Sequence, residues 1–321
     1  MRRKWSVPKM PYNEKISIIM PVYNAEKTIE RAIESVQRQT YTNWQLVIVN
    51  DGSKDATQTI IEQKCAMDDR IESYTIDNSG PAEARNYALE RTNGKWIAFC
   101  DADDWLADNA LLSMIDVVRN FSSQLGVCYY TAPSGEQVES LSKSETIKQF
   151  LINSEFGGYL WNKIFLKDII EKYNIKFEKS IYICEDLLFV IQYTSHIQGC
   201  IIIPQKLYNY DVQPDGLTSS QFSMKKVTQL DALEKIIEVL NDDVDATNVE
   251  ISKRLLVEKT IFIRRDMMKS LKSGVLQIRS PEYKYIKEKI NRICRRYIKE
   301  YLKEEKFPKK FKVMLLLYCF I

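Results

Sequence analysis

The chain has 321 residues and a formal net charge of +3, and 45% of its residues are hydrophobic and 28% are charged. This balance is typical of a globular protein, and the 10 glycines and 9 prolines argue against collagen-like or low-complexity chains. The seven cysteines form no CxxC pair and His196 is the single histidine, which argues against a zinc ribbon, a redox dithiol or a multi-histidine metal site. Dispersed single cysteines predict buried thiols in a reducing compartment.

The first 120 residues alternate short apolar segments with segments of helical periodicity. Short, almost uninterrupted apolar segments are typical of strands buried on both faces of a parallel sheet. The predicted strands are Ile16–Met20, Leu46–Val49, Ile71–Ile76 and Trp96–Cys100. The predicted helices are Ala25–Arg38, Asp55–Cys65, Pro81–Arg91 and Ala107–Asn120. This order predicts an α/β fold, with a mostly parallel sheet flanked by helices and right-handed crossovers.

The rest of the chain is less regular and then becomes helical. Helix-like patterns cover Phe150–Asn153, Lys163–Tyr173 and Leu187–His196, and strand-like patterns cover Ile201–Pro204 and Leu207–Tyr210. Residues 213–220 carry a Pro-Asp-Gly turn signature, and residues 225–302 have a helical, strongly charged pattern. We therefore predict an N-terminal tail at 1–14, an α/β domain at 15–220 and a basic helical C-terminal region at 221–321.

Charge is distributed unevenly along the chain. Residues 251–321 carry 20 Lys and Arg against 7 Asp and Glu, whereas residues 1–250 have a net charge of −10. A basic C-terminal third is compatible with an anionic partner, and equally with a solvated helical surface.

The C-terminus combines lysines with a short apolar segment. Lys306, Lys309, Lys310 and Lys312 precede Val313–Ile321. This pattern predicts an interfacial anchor on an anionic membrane, and the alternative is a last helix packed on the body. No apolar run approaches the ~20 residues of a membrane span. The N-terminal Arg2-Arg3-Lys4 has no apolar stretch behind it and predicts no signal peptide. We expect a cytoplasmic protein, peripheral on the inner face of the plasma membrane if the anchor is correct.

Polar clusters follow three of the predicted strands directly, at 21–24, 50–53 and 101–104. Ligands of open α/β sheets bind at the carboxyl ends of strands, where these clusters would meet. Helix caps and turns are the alternative explanation for the first two clusters. They explain Asp101, Asp103 and Asp104 poorly, because three neighbouring carboxylates repel one another unless a cation joins them. Hard oxygen ligands suit Mg²⁺ or Mn²⁺.

The chain has neither GxxxxGK[ST] nor GxGxxG, so a Walker loop and the usual dinucleotide fingerprint are absent. A nucleotide would therefore need a metal to neutralise its diphosphate, which the acidic cluster offers.

Four stretches in order carry a resemblance to a known family. They are Ser17–Asn24, Val47–Ser53, Gly80–Asn86 and Gly94–Asp104, with a thinner likeness through Trp161–Lys163 and Glu185–Phe189. In these stretches the chain resembles the inverting family 2 glycosyltransferases, nucleotide-sugar enzymes with the type-A glycosyltransferase fold. The resemblance makes residues 15–220 the expected catalytic domain.

The resemblance implies a nucleotide-binding set. Pro21 and Tyr23 would line the base pocket, and Asp51 would accept a hydrogen bond from the base N3–H, as suits a uracil or thymine edge. The remaining members of the set are Arg85 near the base and diphosphate, Asp101 at the ribose, and Asp103 on the metal.

The resemblance also implies a catalytic base, Asp186, with Trp161, Lys163 and Glu185 on the acceptor and sugar side. Capping of the following helix by Glu185 and Asp186 is the alternative role for that pair. His196, Cys184 and the pair Tyr129-Tyr130 are interpreted as structural.

One departure concerns Asp211, because many relatives carry an arginine at that place and then a serine-rich loop over the diphosphate. Here only Ser219 and Ser220 follow. Diphosphate clamping by this loop is therefore not predicted.

The resemblance implies metal-dependent inverting transfer from a nucleotide-sugar, a UDP-hexose or UDP-N-acetylhexosamine. It also implies that the acceptor is a hydroxyl of a bacterial surface glycan such as capsule, free or on a polyprenyl lipid, and no nucleic-acid partner is expected. A sugar-nucleotidyltransferase stays open, although it should carry a glycine- and arginine-rich phosphate loop in place of Pro21–Asn24. A non-catalytic interaction protein also stays open, although such a protein would be expected to lose the metal carboxylates or Asp186, and all of them are present.

Overall fold

The structure, a computed structural model, describes residues 2–4, 13–133, 135–153, 155–211, 222–242, 246–303, 309–310 and 312–313. The chain divides into two units. The first comprises Met1–Lys179 and Asp186–Val212, and the second comprises Ser180–Glu185 and Gln213–Ile321. The predicted turn at 213–220, with Ser219 and Ser220, lies outside the described residues, as do Lys306 and residues 314–321.

The first unit is built on strands that form one large sheet and one small sheet. The strands are β1 (Arg2–Lys4), β2 (Ile16–Val22), β3 (Trp44–Asn50), β4 (Ile71–Thr75), β5 (Trp96–Phe99), β6 (Trp105–Leu106), β7 (Leu125–Tyr129), β8 (Gln137–Ser142), β9 (Lys163–Leu166), β10 (Gly199–Lys206) and β11 (Tyr208–Asn209). In the large sheet their order is β1-β8-β10-β7-β9-β5-β2-β3-β4, and β6 pairs with β11 separately.

The helices of this unit connect the strands. They are α1 (Ile29–Gln37), α2 (Thr57–Met67), α3 (Pro81–Leu89), α4 (Ala110–Asn120), α5 (Lys143–Ile152), α6 (Lys167–Lys172) and α7 (Glu185–Ser195). Every residue of β3 is buried, as are all residues of β2 except Pro21, because helices cover both faces of a parallel sheet. The predicted α/β fold class is confirmed.

Strand direction changes beyond the first 120 residues. The pairs β2–β3, β3–β4 and β2–β5 are parallel, as predicted. β9 runs antiparallel between β5 and β7, so the sheet is mixed.

Two helix predictions between residues 143 and 173 were only partly correct. The prediction of a helix over Lys163–Tyr173 failed for its first four residues, which form β9, and α6 follows. A short apolar run of this length suits a buried strand and a buried helix equally. In the structure Lys163–Leu166 pairs with β5 on one side and with β7 on the other, which makes it a strand. The helix predicted at Phe150–Asn153 begins earlier, at Lys143, where Ser142 and Glu145 form a capping box.

The second unit contains three long helices, α8 (Met224–Asp242), α9 (Ala246–Lys272) and α10 (Pro281–Lys303). α9 packs against both α8 and α10. Lys289 of α10 is buried and pairs with Asp231 of α8, while Arg292 pairs with Glu234 at 2.7 Å. None of the helices in the described part of the chain is long and apolar enough to span a membrane.

Candidate active site

The strand register brings three polar clusters to one edge of the sheet. Val22 pairs with Asn50 and Ile19 with Phe99, so Tyr23, Asp51 and Asp101 follow neighbouring strands at their carboxyl ends. The Asp51 N–H donates to the Val22 carbonyl at 2.8 Å, which extends this alignment by one residue. The predicted meeting of the clusters is therefore present in the structure.

The loops after β2 and β3 hold each other in place. The Asn24 N–H donates to Ser53 Oγ at 2.9 Å, and the Lys54 N–H donates to Asn24 Oδ1 at 2.8 Å. Asn24 has φ of 48°, a left-handed conformation that asparagine tolerates better than most residues. Tyr23, on the same loop, is 52% exposed. Its ring is thus presented to solvent from a loop fixed by reciprocal hydrogen bonds.

Asp51 is buried and organises the start of α3. Its carboxylate accepts hydrogen bonds from the Ser79 N–H at 2.6 Å and the Gly80 N–H at 2.9 Å. A carboxylate has about four acceptor positions, so these two bonds leave capacity for a further donor. Gly52 has φ of 72°, and a Cβ there would lie 3.0 Å from the Asn78 backbone nitrogen. Glycine therefore permits the close approach of the two loops.

Arg85 and Asp101 face each other across the edge. Arg85 lies on α3 and is 9% exposed, and its Nη2 is 3.6 Å from Asp101 Oδ1. The guanidinium carbon also lies 5.6 Å from the centre of the Phe177 ring. The start of α3 is held by Asp51, and Arg85 on the same helix lies beside Asp101. The helix α3 therefore couples the position of Asp51 to that of the Arg85–Asp101 pair.

The carboxylates of the acidic loop 101–104 have different environments. Asp104 is fully buried, and it accepts hydrogen bonds from the Tyr208 O–H at 2.7 Å and the Asp211 N–H at 2.8 Å. Tyr208 Oη in turn accepts the Asp101 N–H at 3.1 Å. Asp101 and Asp103 are only partly buried. Asp104 therefore fixes the loop to the 208–211 segment, and only Asp101 and Asp103 remain candidates for a cation.

Burial and mutual repulsion disfavour charge in this loop. Burial raises the pKa of Asp104 to about 7, and the charges of Asp101 and Asp103 act in the same direction. Burial, followed by the charge of Asp101, also raises the pKa of Asp103 above its usual value. A bound cation would reverse this cost, since it favours the ionised form of a nearby carboxyl.

Arg31 and Asp211 form a contact that sequence reasoning did not find. Arg31 Nη2 donates to Asp211 Oδ2 at 2.8 Å and to the Asp103 carbonyl at 2.6 Å. The guanidinium carbon lies 4.1 Å from the centre of the Trp105 ring. Asp211, which stands where an arginine was expected, is thus the partner of an arginine on α1. The unusual aspartate at 211 was the one available signal of this pair.

Trp161 is the centre of an aromatic cluster beside the acidic loop. Its ring is nearly parallel to those of Tyr208 at 4.5 Å, Tyr159 at 4.9 Å and Tyr210 at 5.6 Å between ring centroids. Tyr130 meets it edge-on at 5.0 Å. Trp161 is 7% exposed and Tyr210 is 49% exposed. The surface of the cluster that a ligand could reach is therefore formed by Tyr210 more than by Trp161.

Lys163 was expected on the acceptor and sugar side, and the structure places it in the interior. The residue is fully buried, and its Nζ donates to the carbonyls of Phe156, Gly157 and Tyr159 and to Asn162 Oδ1, at 2.6 to 2.9 Å. Burial lowers the pKa of Lys163 to about 7, while the four oxygen acceptors favour its charged form. These four hydrogen bonds hold the 156–162 loop, and the place of Lys163 on the acceptor and sugar side stays a prediction.

Asp186 and Glu185 lie in the first turn of α7. Asp186 is partly exposed, and its Oδ1 accepts the Leu187 N–H at 2.7 Å. Glu185 is 8% exposed. The preceding Cys184 has φ of 68°, so the chain turns sharply just before the helix. Asp186 is thus the more accessible carboxyl of the two.

His196 stacks on Tyr173 with ring centroids 3.7 Å apart, a packing contact. Tyr129 ends β7 and contacts Phe156 edge-on at 5.0 Å. Both observations agree with the structural interpretation of these residues.

The described residues contain no group of three His, Cys, Asp or Glu side chains arranged to hold a metal by themselves. Two partly buried carboxylates, Asp101 and Asp103, nevertheless fit the chemistry of Mg²⁺ or Mn²⁺, because such ions are often held by one or two carboxylates together with substrate phosphates. The residues present therefore fit a metal shared with a ligand better than a metal caged by protein alone.

Comparisons with known proteins agree with this architecture. The model of Glycosyl transferase family 2 matches residues 17–174. EpsJ of Bacillus subtilis (strain 168), named an uncharacterized glycosyltransferase, is 29% identical over 215 residues, which are 63% of this chain and 62% of EpsJ. The poly(ribitol-phosphate) beta-N-acetylglucosaminyltransferase TarS of Staphylococcus aureus (strain MW2) is 25% identical over 237 residues, 72% of this chain and 41% of TarS. The chain thus spans less than two thirds of the length of these relatives.

Solved structures show the same fold. TarS 1-349 from S. aureus in complex with UDP-GlcNAc has a TM-score of 0.65 at 18% identity, covering 94% of this chain and 83% of that one. The mannosyltransferase PcManGT from Pyrobaculum calidifontis, in complex with GDP-Man and Mn²⁺, has a TM-score of 0.59 at 13% identity, covering 99% and 88%.

Proposed function

Because the chain belongs to glycosyltransferase family 2 and has the type-A glycosyltransferase fold, we propose that it transfers a sugar from a nucleotide-sugar to a hydroxyl acceptor. The observation that carries this proposal is the convergence of Tyr23, Asp51, Arg85 and the acidic loop at the carboxyl edge of β2, β3 and β5. Residues 15–220 are the proposed catalytic domain, and residues 221–321 are the proposed helical extension.

The proposed donor is a UDP-sugar, a UDP-hexose or a UDP-N-acetylhexosamine. Asp51 retains acceptor capacity beyond its two backbone bonds and would take the N3–H of uracil. Tyr23 and Pro21 would contact the base, and Asp101 would contact the ribose. TarS, a relative of similar fold, is solved with UDP-GlcNAc, which supports a uridine nucleotide without deciding the sugar.

We assign the metal to Asp103, which is partly buried and destabilised as a lone charge. When bound, Mg²⁺ or Mn²⁺ supplies positive charge to the departing diphosphate. PcManGT is solved with Mn²⁺ and a nucleotide-sugar, which supports divalent-metal use on this fold. Arg85 would add a second positive charge near the phosphates.

The proposed reaction inverts the anomeric centre in one displacement. Asp186 takes the proton of the acceptor hydroxyl as the oxygen attacks the anomeric carbon, and the bond from that carbon to the nucleoside diphosphate breaks. No covalent sugar intermediate is required. Trp161 and the exposed Tyr210 would border the acceptor, and the buried Glu185 would support α7.

The proposed acceptor is a surface glycan under construction, such as capsule or a teichoic-acid-type polymer, free or linked to a polyprenyl lipid. The name of TarS refers to a poly(ribitol-phosphate) acceptor, which supports this class. The site then works where the lipid-linked glycan is assembled, and we propose a cytoplasmic protein at the inner face of the membrane.

The function is tested by incubating the chain with a panel of nucleotide-sugars and Mn²⁺ and identifying the released product. Release of UDP supports sugar transfer or donor hydrolysis, and mass spectrometry of an added glycan acceptor separates the two. Release of pyrophosphate would instead indicate a sugar-nucleotidyltransferase. Neither product with any donor would favour an interaction protein built on this fold.

Arg31 is a proposed positioning residue for the acidic loop, and Arg31→Gln is expected to reduce kcat/KM for the donor about 10-fold. The guanidinium contacts the Asp103 carbonyl, so its loss should loosen the metal carboxylate and raise the metal concentration needed for half-maximal activity. Because Arg31 and Asp211 are both about 40% exposed, the pair itself should change stability by less than about 1 kcal/mol.

The matched control is Arg38→Gln, which removes the arginine that directly follows α1. Arg38 Nε pairs with Asp108 Oδ1 at 3.4 Å. Metal titrations of both variants measure the effect. An equal metal requirement for Arg31→Gln and Arg38→Gln would show that Arg31 does not position the loop.

The C-terminal segment is a proposed membrane anchor, and truncation after Phe307 is expected to weaken co-sedimentation with anionic liposomes. The truncation removes Val313–Ile321 and three of the four lysines that precede it, Lys309, Lys310 and Lys312, and each lysine near an anionic surface contributes about 1 kcal/mol. Unchanged co-sedimentation of the truncated chain would contradict the anchor. Retained UDP release by the same variant would show that the catalytic domain is intact.

A further inference from the structure

The last turn of α9 and its connection to α10 present aliphatic side chains to solvent. We define residues 268–279 as the hairpin tip. Within it Val275 is 72% exposed, Ile278 is 68% exposed and Met268 is 39% exposed. A single exposed aliphatic residue needs no explanation, whereas several in one short turn indicate a contact surface.

The same turn is uniformly cationic. Between Met267 and Pro281 the chain carries Lys269, Lys272 and Arg279 and no acidic residue. All three cations are exposed, and none of them forms an ion pair within the described part of the second unit. The tip therefore presents three positive charges and no negative charge to solvent.

Backbone hydrogen bonds hold the tip in a defined conformation. The Ser273 N–H donates to the Lys269 carbonyl at 3.0 Å, and the Leu276 N–H donates to the Ser270 carbonyl at 3.1 Å. Gly274 has φ of 75°, the left-handed value that commonly ends a helix. At the other side Ser280 Oγ accepts the Tyr283 N–H at 3.2 Å and caps α10. The exposed side chains are thus presented from an ordered turn.

We propose that the hairpin tip docks on an anionic lipid bilayer, with Val275 and Ile278 entering the interface and Lys269, Lys272 and Arg279 contacting the headgroups. A bilayer offers an apolar phase beside a layer of negative charge, which matches both properties of the tip. A nucleic acid offers the charge but no apolar phase for aliphatic side chains. This surface consists of residues 268–279 of the second unit, and none of them is a residue of the proposed transfer site or of the C-terminal segment 306–321.

The test is co-sedimentation of the full chain with vesicles of phosphatidylglycerol mixed with phosphatidylcholine, compared with phosphatidylcholine alone. The triple change Lys269→Gln, Lys272→Gln and Arg279→Gln should lower the partition coefficient on anionic vesicles about 10²-fold, since each cation near the surface is worth about fivefold. The double change Val275→Ser and Ile278→Ser should lower it about 10-fold, through lost apolar burial.

Matched controls come from the first unit. Lys148, Lys176 and Lys206 are exposed there, and their triple change to Gln removes the same charge elsewhere. Met67→Ser with Ile152→Ser removes aliphatic side chains that are 78% and 55% exposed. Circular dichroism and UDP release would verify that each variant is folded.

Insertion is measured directly with Val275→Trp, whose fluorescence should shift to the blue and be quenched by brominated lipids in anionic vesicles. Partitioning of both tip variants equal to that of their controls would overturn the proposal. The proposal would also be overturned if only the triple charge variant lost binding and Val275→Trp showed no quenching. That result would indicate electrostatic adsorption or an acidic protein partner, without insertion into the bilayer. Repeating the series after truncation at Phe307 separates the tip from the C-terminal anchor.

Discussion

Asp186→Asn is expected to leave UDP binding nearly intact and to reduce sugar transfer by about 10²–10⁴-fold, the usual contribution of a positioned base. Asparagine keeps the shape of the side chain and its ability to accept the Leu187 N–H, but it cannot take a proton. The start of α7 should therefore be preserved while proton removal from the acceptor is lost. Single-turnover transfer rates together with UDP titration calorimetry measure the two effects separately.

Glu185→Gln is the matched control, because it neutralises the adjacent carboxyl on the same turn. Glu185 is 8% exposed and Asp186 is more open, so the control should have the smaller effect on turnover. Near wild-type transfer by Asp186→Asn, with loss of transfer by Glu185→Gln, would reverse the assignment of the base. Equal, small effects of both variants would instead support a capping role for the pair.

Asp103→Ala is expected to reduce transfer by at least about 10³-fold and to weaken UDP binding, because the two phosphates would lose the cation that neutralises them. Asp103 is the partly buried carboxyl whose pKa is raised by burial and by Asp101, so its charge is costly without a cation. UDP affinity measured with and without Mn²⁺ should differ in the wild type and become nearly equal in the variant. This comparison of UDP affinities measures metal binding without relying on turnover.

The control for Asp103→Ala is Asp108→Ala, a nearby exposed aspartate that pairs with Arg38. It should keep the metal dependence of UDP binding. Undiminished wild-type activity in excess EDTA would show that the metal assignment is wrong.

Asp104→Asn is expected to differ from both of these variants, because Asp104 is fully buried and accepts hydrogen bonds from Tyr208 and Asp211. Its loss should lower thermal stability before it affects metal affinity.

The sequence determined the first parallel strands and the edge of the sheet where their polar residues meet. The apolar segments at Ile16–Met20 and Leu46–Val49 are buried only if helices cover both faces of the sheet. The strands β2 and β3 were therefore predictable from local composition. The polar residues that end them, Tyr23 and Asp51, then had to meet at the carboxyl edge of a parallel sheet. This is why the α/β fold class and the edge where these polar residues meet followed from residue order alone.

Tertiary structure decided which of the candidate side chains are accessible at this edge and which are buried. In the sequence Asp103 and Asp104 are adjacent carboxylates with the same chemistry, and only the distant hydroxyl of Tyr208 turns Asp104 into a buried structural group. In the sequence Lys163 is likewise a candidate for a place on the acceptor and sugar side. In the structure its Nζ is buried and donates to four oxygens of the protein. Arg31 lies 180 residues from Asp211, and no local pattern relates them. Burial and long-range partners determine these roles, and both arise only when the chain is folded.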